Sequence, residues 1–155
     1  MFDLYQEFKS VVSALNKHGV DYAVCGGLAM AVWGVPRATV DIDLLILIEA
    51  LEQARSLARS LGFTIEAFPM TVGGGAIQIR RLSKMDTETG IVLPLDFILV
   101  TPEIVEIWDS RVEVPWESGS LWAVSRRGLI ALKSLKPRPQ DLADIERLKE
   151  TGDEG

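Results

Sequence analysis

The sequence predicts an α/β (α+β) fold: a mixed β-sheet with helices packed on it. Three observations lead there. Strand-like and helix-like segments alternate early in the chain, which implies crossover connections between strands. Later apolar runs follow one another across short turns, which implies hairpins. A chain of 155 residues, 48% hydrophobic and 25% charged, suffices for one domain, 1–155, with a proper core.

Residues 2–18 read as an amphipathic helix, with Leu4, Phe8, Val11, Val12 and Leu15 on one face. His18 and Gly19 end it. An apolar strand, Tyr22 to Cys25, turns at Gly26 and Gly27 into a short helix that Gly34 and Pro36 break. Val35 to Thr39 form a loop that carries Arg37, and the apolar run Val40 to Ile48 is the second strand. A helix from Glu49 to Leu61 buries Leu51, Ala54, Leu57, Ala58 and Leu61, and Gly62 stops it.

Phe63 to Phe68 alternates as a strand, and the glycine run inside Met70 to Gly75 predicts a mobile turn. Ala76 to Leu82 is a strand with Ile77 and Ile79 inward and Gln78 and Arg80 outward. Ser83 to Gly90 is polar and turn-like, and Ile91 to Val100 is a central strand around Asp96. Thr101, Pro102 and Glu103 are a helix start: a hydroxyl cap, then proline and an acid in the first turn. Arg111 to Trp116 and Ser120 to Val124 pair as a hairpin around Gly119. Helices Ser125 to Leu135 and Pro139 to Lys149 follow, separated at Pro137 and Pro139.

Charge and cysteine content narrow the function classes. The net charge of −6 and pI near 4.8 argue against a large nucleic-acid footprint, which needs a basic face. Local basic groups do exist, at Arg80, Arg81 and Lys84 and between Arg126 and Arg138. A lone cysteine, Cys25, excludes an internal disulfide and fits a reducing compartment. The segment MFDLYQEFKS is not a secretory signal, and no uncharged apolar run is long enough for a membrane span. The expected location is the cytoplasm.

The chemistry concentrates between Val24 and Ile48, in VCGGLAMAVWGVPRATVDIDLLILI. Strand side chains alternate between faces, so Asp41 and Asp43 share one, with Ile42 turned to the core. Two carboxylates side by side in an apolar strand are costly unless a cation lies between them. A hard divalent ion such as Mg2+ suits such oxygen donors. Gly26 and Gly27 allow a close backbone approach, and the first amides of the helix they open favour an anion such as phosphate. Phosphate cradle and paired carboxylates together suit metal-assisted phosphoryl or nucleotidyl transfer.

At these residues the chain resembles the nucleotidyltransferase superfamily, the polymerase-beta-like fold. Its pattern is a Gly-Gly or Gly-Ser pair, a spacer, and Asp-x-Asp among apolar residues, with a third acid on a later strand; here that acid is Asp96, in LPLDFILV. Among short members the closest resemblance is to the abortive-infection type toxins of toxin–antitoxin pairs. The segment LIALKSLKPRPQDLADIERLK adds to it, with Lys133, Arg138 and Asp141 at the positions of a lysine, an Arg-Pro turn and an acid, although Pro137 stands where glycine is common.

The resemblance implies that Asp41, Asp43 and Asp96 hold two Mg2+ ions, with Mn2+ as the alternative, and that Asp96 serves as base on the acceptor. It implies that Gly26 and Gly27 take the phosphates of an NTP, and that Lys133 contacts the triphosphate. Arg37 would reach a phosphate oxygen or remain a solvated loop arginine. Asp141 would fix Lys133 or cap its helix, where an acid belongs in any case. The bland reading of the acids is a turn cap at Asp41, an edge charge at Asp43 and a structural salt bridge at Asp96. Trp33, Trp108, Trp116 and Trp122 read as core or rim packing before a base-stacking platform, with Trp33 the one candidate to border the nucleotide.

The expected reaction is transfer of a nucleoside monophosphate to a tRNA end or a protein side chain, with an antitoxin as a further partner. The alternative enzyme modifies a small molecule of the antibiotic kind, its acceptor pocket shared across a homodimer. The reading from another class is a non-catalytic binding module.

Overall fold

The computed structural model describes residues 2–36, 38–135 and 138–151. Helix α1, Leu4–Lys17, starts where the Asp3 carboxylate accepts from the Gln6 amide at 3.2 Å, and ends at His18, followed by Gly19 at φ +68°. Strand β1 (Ala23–Cys25) runs directly into α2 (Gly26–Val32). Strand β2 is Ile42–Ile46 and helix α3 is Leu51–Ser60. Then come β3 (Ile65–Glu66), β4 (Met70–Val72), β5 (Ile77–Met85) and β6 (Val92–Leu99). Helix α4 (Val105–Asp109), the hairpin β7 (Val112–Trp116) and β8 (Gly119–Ala123), and helices α5 (Arg126–Ser134) and α6 (Pro139–Glu150) complete the order.

One mixed sheet joins these strands in the order β3–β5–β6–β2–β1–β8–β7, with β4 paired to β5. Strands β2 and β6 run parallel, as do β1 and β8; β1–β2, β5–β6 and β7–β8 are antiparallel. Phe8, Val11, Val12 and Leu15 of α1 and Leu51, Ala54 and Ala58 of α3 share a buried cluster with Leu82, Leu95, Phe97 and Leu99. Burying aliphatic side chains of this size stabilises by about 1.5–3 kcal/mol each before entropy is counted. No described helix is long and apolar enough to cross a membrane.

Several expected boundaries move. Strand β2 starts at Ile42, not Val40; Val40 is 78% exposed, and Ile48 opens a 3-10 turn instead of ending the strand. The strand expected over 63–68 shortens to Ile65–Glu66, because Phe63 is buried in the core while Ile65 and Phe68 face solvent. The turn expected over 70–75 is half strand: Met70, Thr71 and Val72 pair with Ile79, Gln78 and Ile77, and only Gly73–Gly75 turn. Strand β5 continues to Met85, through residues expected in a turn, because β6 supplies partners that far. The Thr101 hydroxyl does not cap a helix; it donates to the Ala76 carbonyl at 2.7 Å. The faces of β5 are also exchanged. Leu82 enters the core, whereas Ile77 and Ile79 share the face of Arg81 and look into a cleft.

Candidate active site

The pairing register sets one row of side chains across four strands. Cys25 of β1 lies opposite Asp43 of β2, Asp43 opposite Asp96 of β6, and Asp96 opposite Arg81 of β5. Residues paired in this way present their side chains on one face. Asp41 joins from a bend just before β2, where the Thr39 hydroxyl donates to its carboxylate at 3.2 Å. One oxygen from each of Asp41, Asp43 and Asp96 lies within 4.8 Å of the others.

The electrostatics of this group favour a cation. Burial pushes the Asp43 carboxyl up to about 8, and the charges of Asp41 and Asp96 push in the same direction. The donors are all hard carboxylate oxygens, the type that Mg2+ or Mn2+ prefers. Asp41, Asp43 and Asp96 therefore fit a divalent ion in donor type and number, and lie close enough together to converge on one.

Gly26 explains why the backbone turns here. Its φ is +65°, and a Cβ at this position would run into the Asp43 carboxylate. Gly26 thus lets the acid lie against the strand end, and it borders the cleft. Gly27 does not line the cleft. It is packed against Thr39, where a Cβ would come within 2.7 Å of the threonine Cβ. Cys25, the N-cap residue of α2, makes no side-chain capping bond to its first amides.

The facing wall comes from α5 and α6. Lys133, 10% exposed at its side chain, lies 3.1 Å from Asp144 and 3.6 Å from Asp141. Asp141 also accepts from the Arg138 backbone and Nε, both at 3.0 Å, closing a capping box at the start of α6. Burial acts to raise the Asp141 carboxyl, but the bonds and charge of Arg138, with the charge of Lys133, outweigh it and hold the group below the usual carboxylate range. Asp141 thus does both of the things expected as alternatives. Lys133, Arg138 and Asp141 line a cleft of about 530 Å³ together with the three acids.

Arg37 lies outside the described residues. Trp33 does not border the cleft; its indole donates to the Val124 carbonyl at 2.8 Å, and the Arg126 guanidinium lies 5.3 Å from its ring. The residue that sequence reasoning missed is Arg81, counted only as part of a basic group. It forks onto Asp96, Nε to Oδ1 at 2.7 Å and Nη2 to Oδ2 at 2.9 Å. The salt bridge in the bland reading of Asp96 therefore exists, inside the cleft. The available signal was β5 alternation, which puts Arg81 in phase with Ile77 and Ile79.

No protein-family model and no curated protein sequence matches the chain. Solved structures do. The lincosamide antibiotic adenylyltransferase LnuA, with lincomycin bound, superposes at a TM-score of 0.61 and 12% identity, covering 95% of this chain and 97% of that one. A Thermotoga maritima protein assigned as a nucleotidyltransferase gives 0.62 at 14% identity, covering 95% and 91%. The ANT(2'')-Ia complex with adenylyl-2''-tobramycin gives 0.61 at 17% identity, covering 96% and 90%. The chain has the nucleotidyltransferase fold.

Proposed function

We propose that the protein is a divalent-cation-dependent nucleotidyltransferase that moves a nucleoside monophosphate from an NTP to a hydroxyl of a small molecule. The observation that carries this reading is the convergence of Asp41, Asp43 and Asp96 within 4.8 Å, in a cleft whose other wall presents Lys133 and Arg138. A bound Mg2+ or Mn2+ pair would supply charge neutralisation on the triphosphate and a lower pKa for the attacking hydroxyl.

The chain's own residues do the rest. Asp41 and Asp43 are the primary ligands, and Thr39 steadies Asp41. Asp96 completes the set or takes the proton from the acceptor hydroxyl, its plane fixed by the Arg81 fork. Lys133 and Arg138 hold phosphate oxygens. Gly26 lets the backbone approach the nucleotide. The acceptor oxygen bonds to the α-phosphorus as the bond to pyrophosphate breaks.

A small acceptor is favoured over tRNA or a protein side chain. LnuA matches over nearly its whole length, so the fold needs no added domain to serve an antibiotic-sized acceptor in that relative. The net charge of −6 suits tRNA poorly. The toxin reading, with an antitoxin partner, has no such support.

The test supplies each α-labelled NTP with Mg2+ and, in separate reactions, an antibiotic panel, total tRNA or cell protein. Label on a small molecule is the expected result. Label on tRNA or protein would move the acceptor to the other class. No transfer, together with no stabilisation by Mg2+ and NTP, would contradict the enzyme reading.

A further inference from the structure

Beyond the triad, the same sheet face continues as a patch of aliphatic side chains that lines the cleft. Val72 of β4, Ile77 and Ile79 of β5 and Ile98 of β6 all line the cleft, and Val72 is 40% exposed. The register makes them one surface: Val72 pairs with Ile77, and Ile79 with Ile98. Ile98 follows Asp96 by two residues, so the patch begins ~7 Å from the third acid. Arg81 stands at the boundary, its side chain 36% exposed and bonded to Asp96.

We infer that this β4–β5–β6 face is the acceptor subsite, and that it takes a hydroxyl compound with an apolar face and no cluster of amino groups. The inference rests on the nucleotidyltransferase reading and adds the substrate class. The charges around the patch make the selection. Among the described residues, the acids lining the cleft are Asp41, Asp43, Asp96 and Asp141. The first three form the cation group, and Asp141 is engaged by Arg138 and Lys133. No carboxylate is left there to meet an ammonium group, and Arg81 beside the patch, already paired with Asp96, offers it no partner either. β-Branched side chains on an open pleat bury an apolar skeleton well. The concave space, about 530 Å³ with Leu129 and Leu132 opposite, has the size of a small-molecule site and not of a flat interface between proteins.

The test uses the full chain with Mg2+ and ATP, labelled at isoleucine methyls and observed by NMR. Three probes are titrated: neutral chloramphenicol, sparsely charged lincomycin and the polyamine tobramycin. The first two are expected to shift the methyls of Ile77, Ile79 and Ile98, and tobramycin to leave them in place. Ile79→Glu is expected to weaken binding of the apolar probes roughly tenfold or more and to strengthen tobramycin binding. Ile79→Ala guards against misfolding and should give a smaller loss of the same sign. Tobramycin shifting these methyls as strongly as the others, or neither apolar probe shifting them, overturns the subsite. The thermal shift on adding Mg2+ and ATP, measured on the same samples, is independent of the acceptor. Its absence in the wild-type protein contradicts the nucleotidyltransferase reading instead.

Discussion

At Asp43 burial, like charge and backbone proximity all meet. Its carboxyl is pushed up to about 8, above the ordinary 3.8 of an unfolded chain, by burial first and then by Asp41 and Asp96. A raised acid binds more protons folded than unfolded between these values, so the cation-free protein loses stability as pH climbs from about 4 to 8. Cation binding must expel that proton, so Mg2+ affinity should rise about tenfold per pH unit below 8 and level off above it. Calorimetric titration across this range checks the slope; a flat profile would contradict it. Asp43→Asn should stabilise the cation-free protein at pH 8.5 by a few kcal/mol and lower transfer activity at least ~10²-fold.

Gly26 gives a second residue-scale outcome. Gly26→Ala meets both a positive φ and the Asp43 carboxylate, whereas Gly19→Ala meets only a positive φ, with nothing within 4 Å. Gly19→Ala should cost ~1 kcal/mol and Gly26→Ala ~2–3 kcal/mol or more, read as thermal melts. Asp43 and Asp96 were legible as residues because acids inside apolar runs stand out and strand period puts x-Asp-x positions on known faces. Arg81 was not. Its role depends on which strand lies beside β6, and no local pattern states a pairing partner.

At the scale of elements, α5 and α6 form a unit around one buried lysine. Lys133 is nearly enclosed by Asp141 and Asp144, all three about nine-tenths buried at their side chains. Removing its charge leaves two acids facing each other, so Lys133→Met should cost ~3 kcal/mol. Lys133→Arg should recover most of that stability and less of the NTP affinity, since the point charge is replaced by a wide fork. Melting curves with KM for NTP separate the two effects.

The α6 start was readable from proline and acid in its first turn, and the α1 and α3 stripes from their spacing. The β4 strand was not. Three glycines suggested a loop, but Gly73, Gly74 and Gly75 all take positive φ and turn the chain tightly enough for β4 to pair back on β5. The cost is a patch of apolar side chains on an open face, which composition alone cannot place.

For the whole molecule, the order β5–β6–β2–β1 brings together residues from Cys25 to Asp96 in one row. The mixed sheet was legible because crossovers and hairpins leave different spacings in the chain. The order of strands was not, since pairing β2 with β6 joins segments about fifty residues apart with no sequence mark. Net charge also acts at this scale. With −6 overall, total tRNA should not be retained at ~0.15 M salt in a filter-binding assay; retention there would favour the nucleic-acid acceptor.

The most direct measurement is diffraction at the manganese edge from crystals grown with Mn2+ and a non-hydrolysable ATP analogue. The expected result is an anomalous peak held by Asp41 and Asp43, with Asp96 beside it and the triphosphate reaching towards Lys133. A triphosphate bound elsewhere, or no manganese among these three carboxylates, would contradict the account.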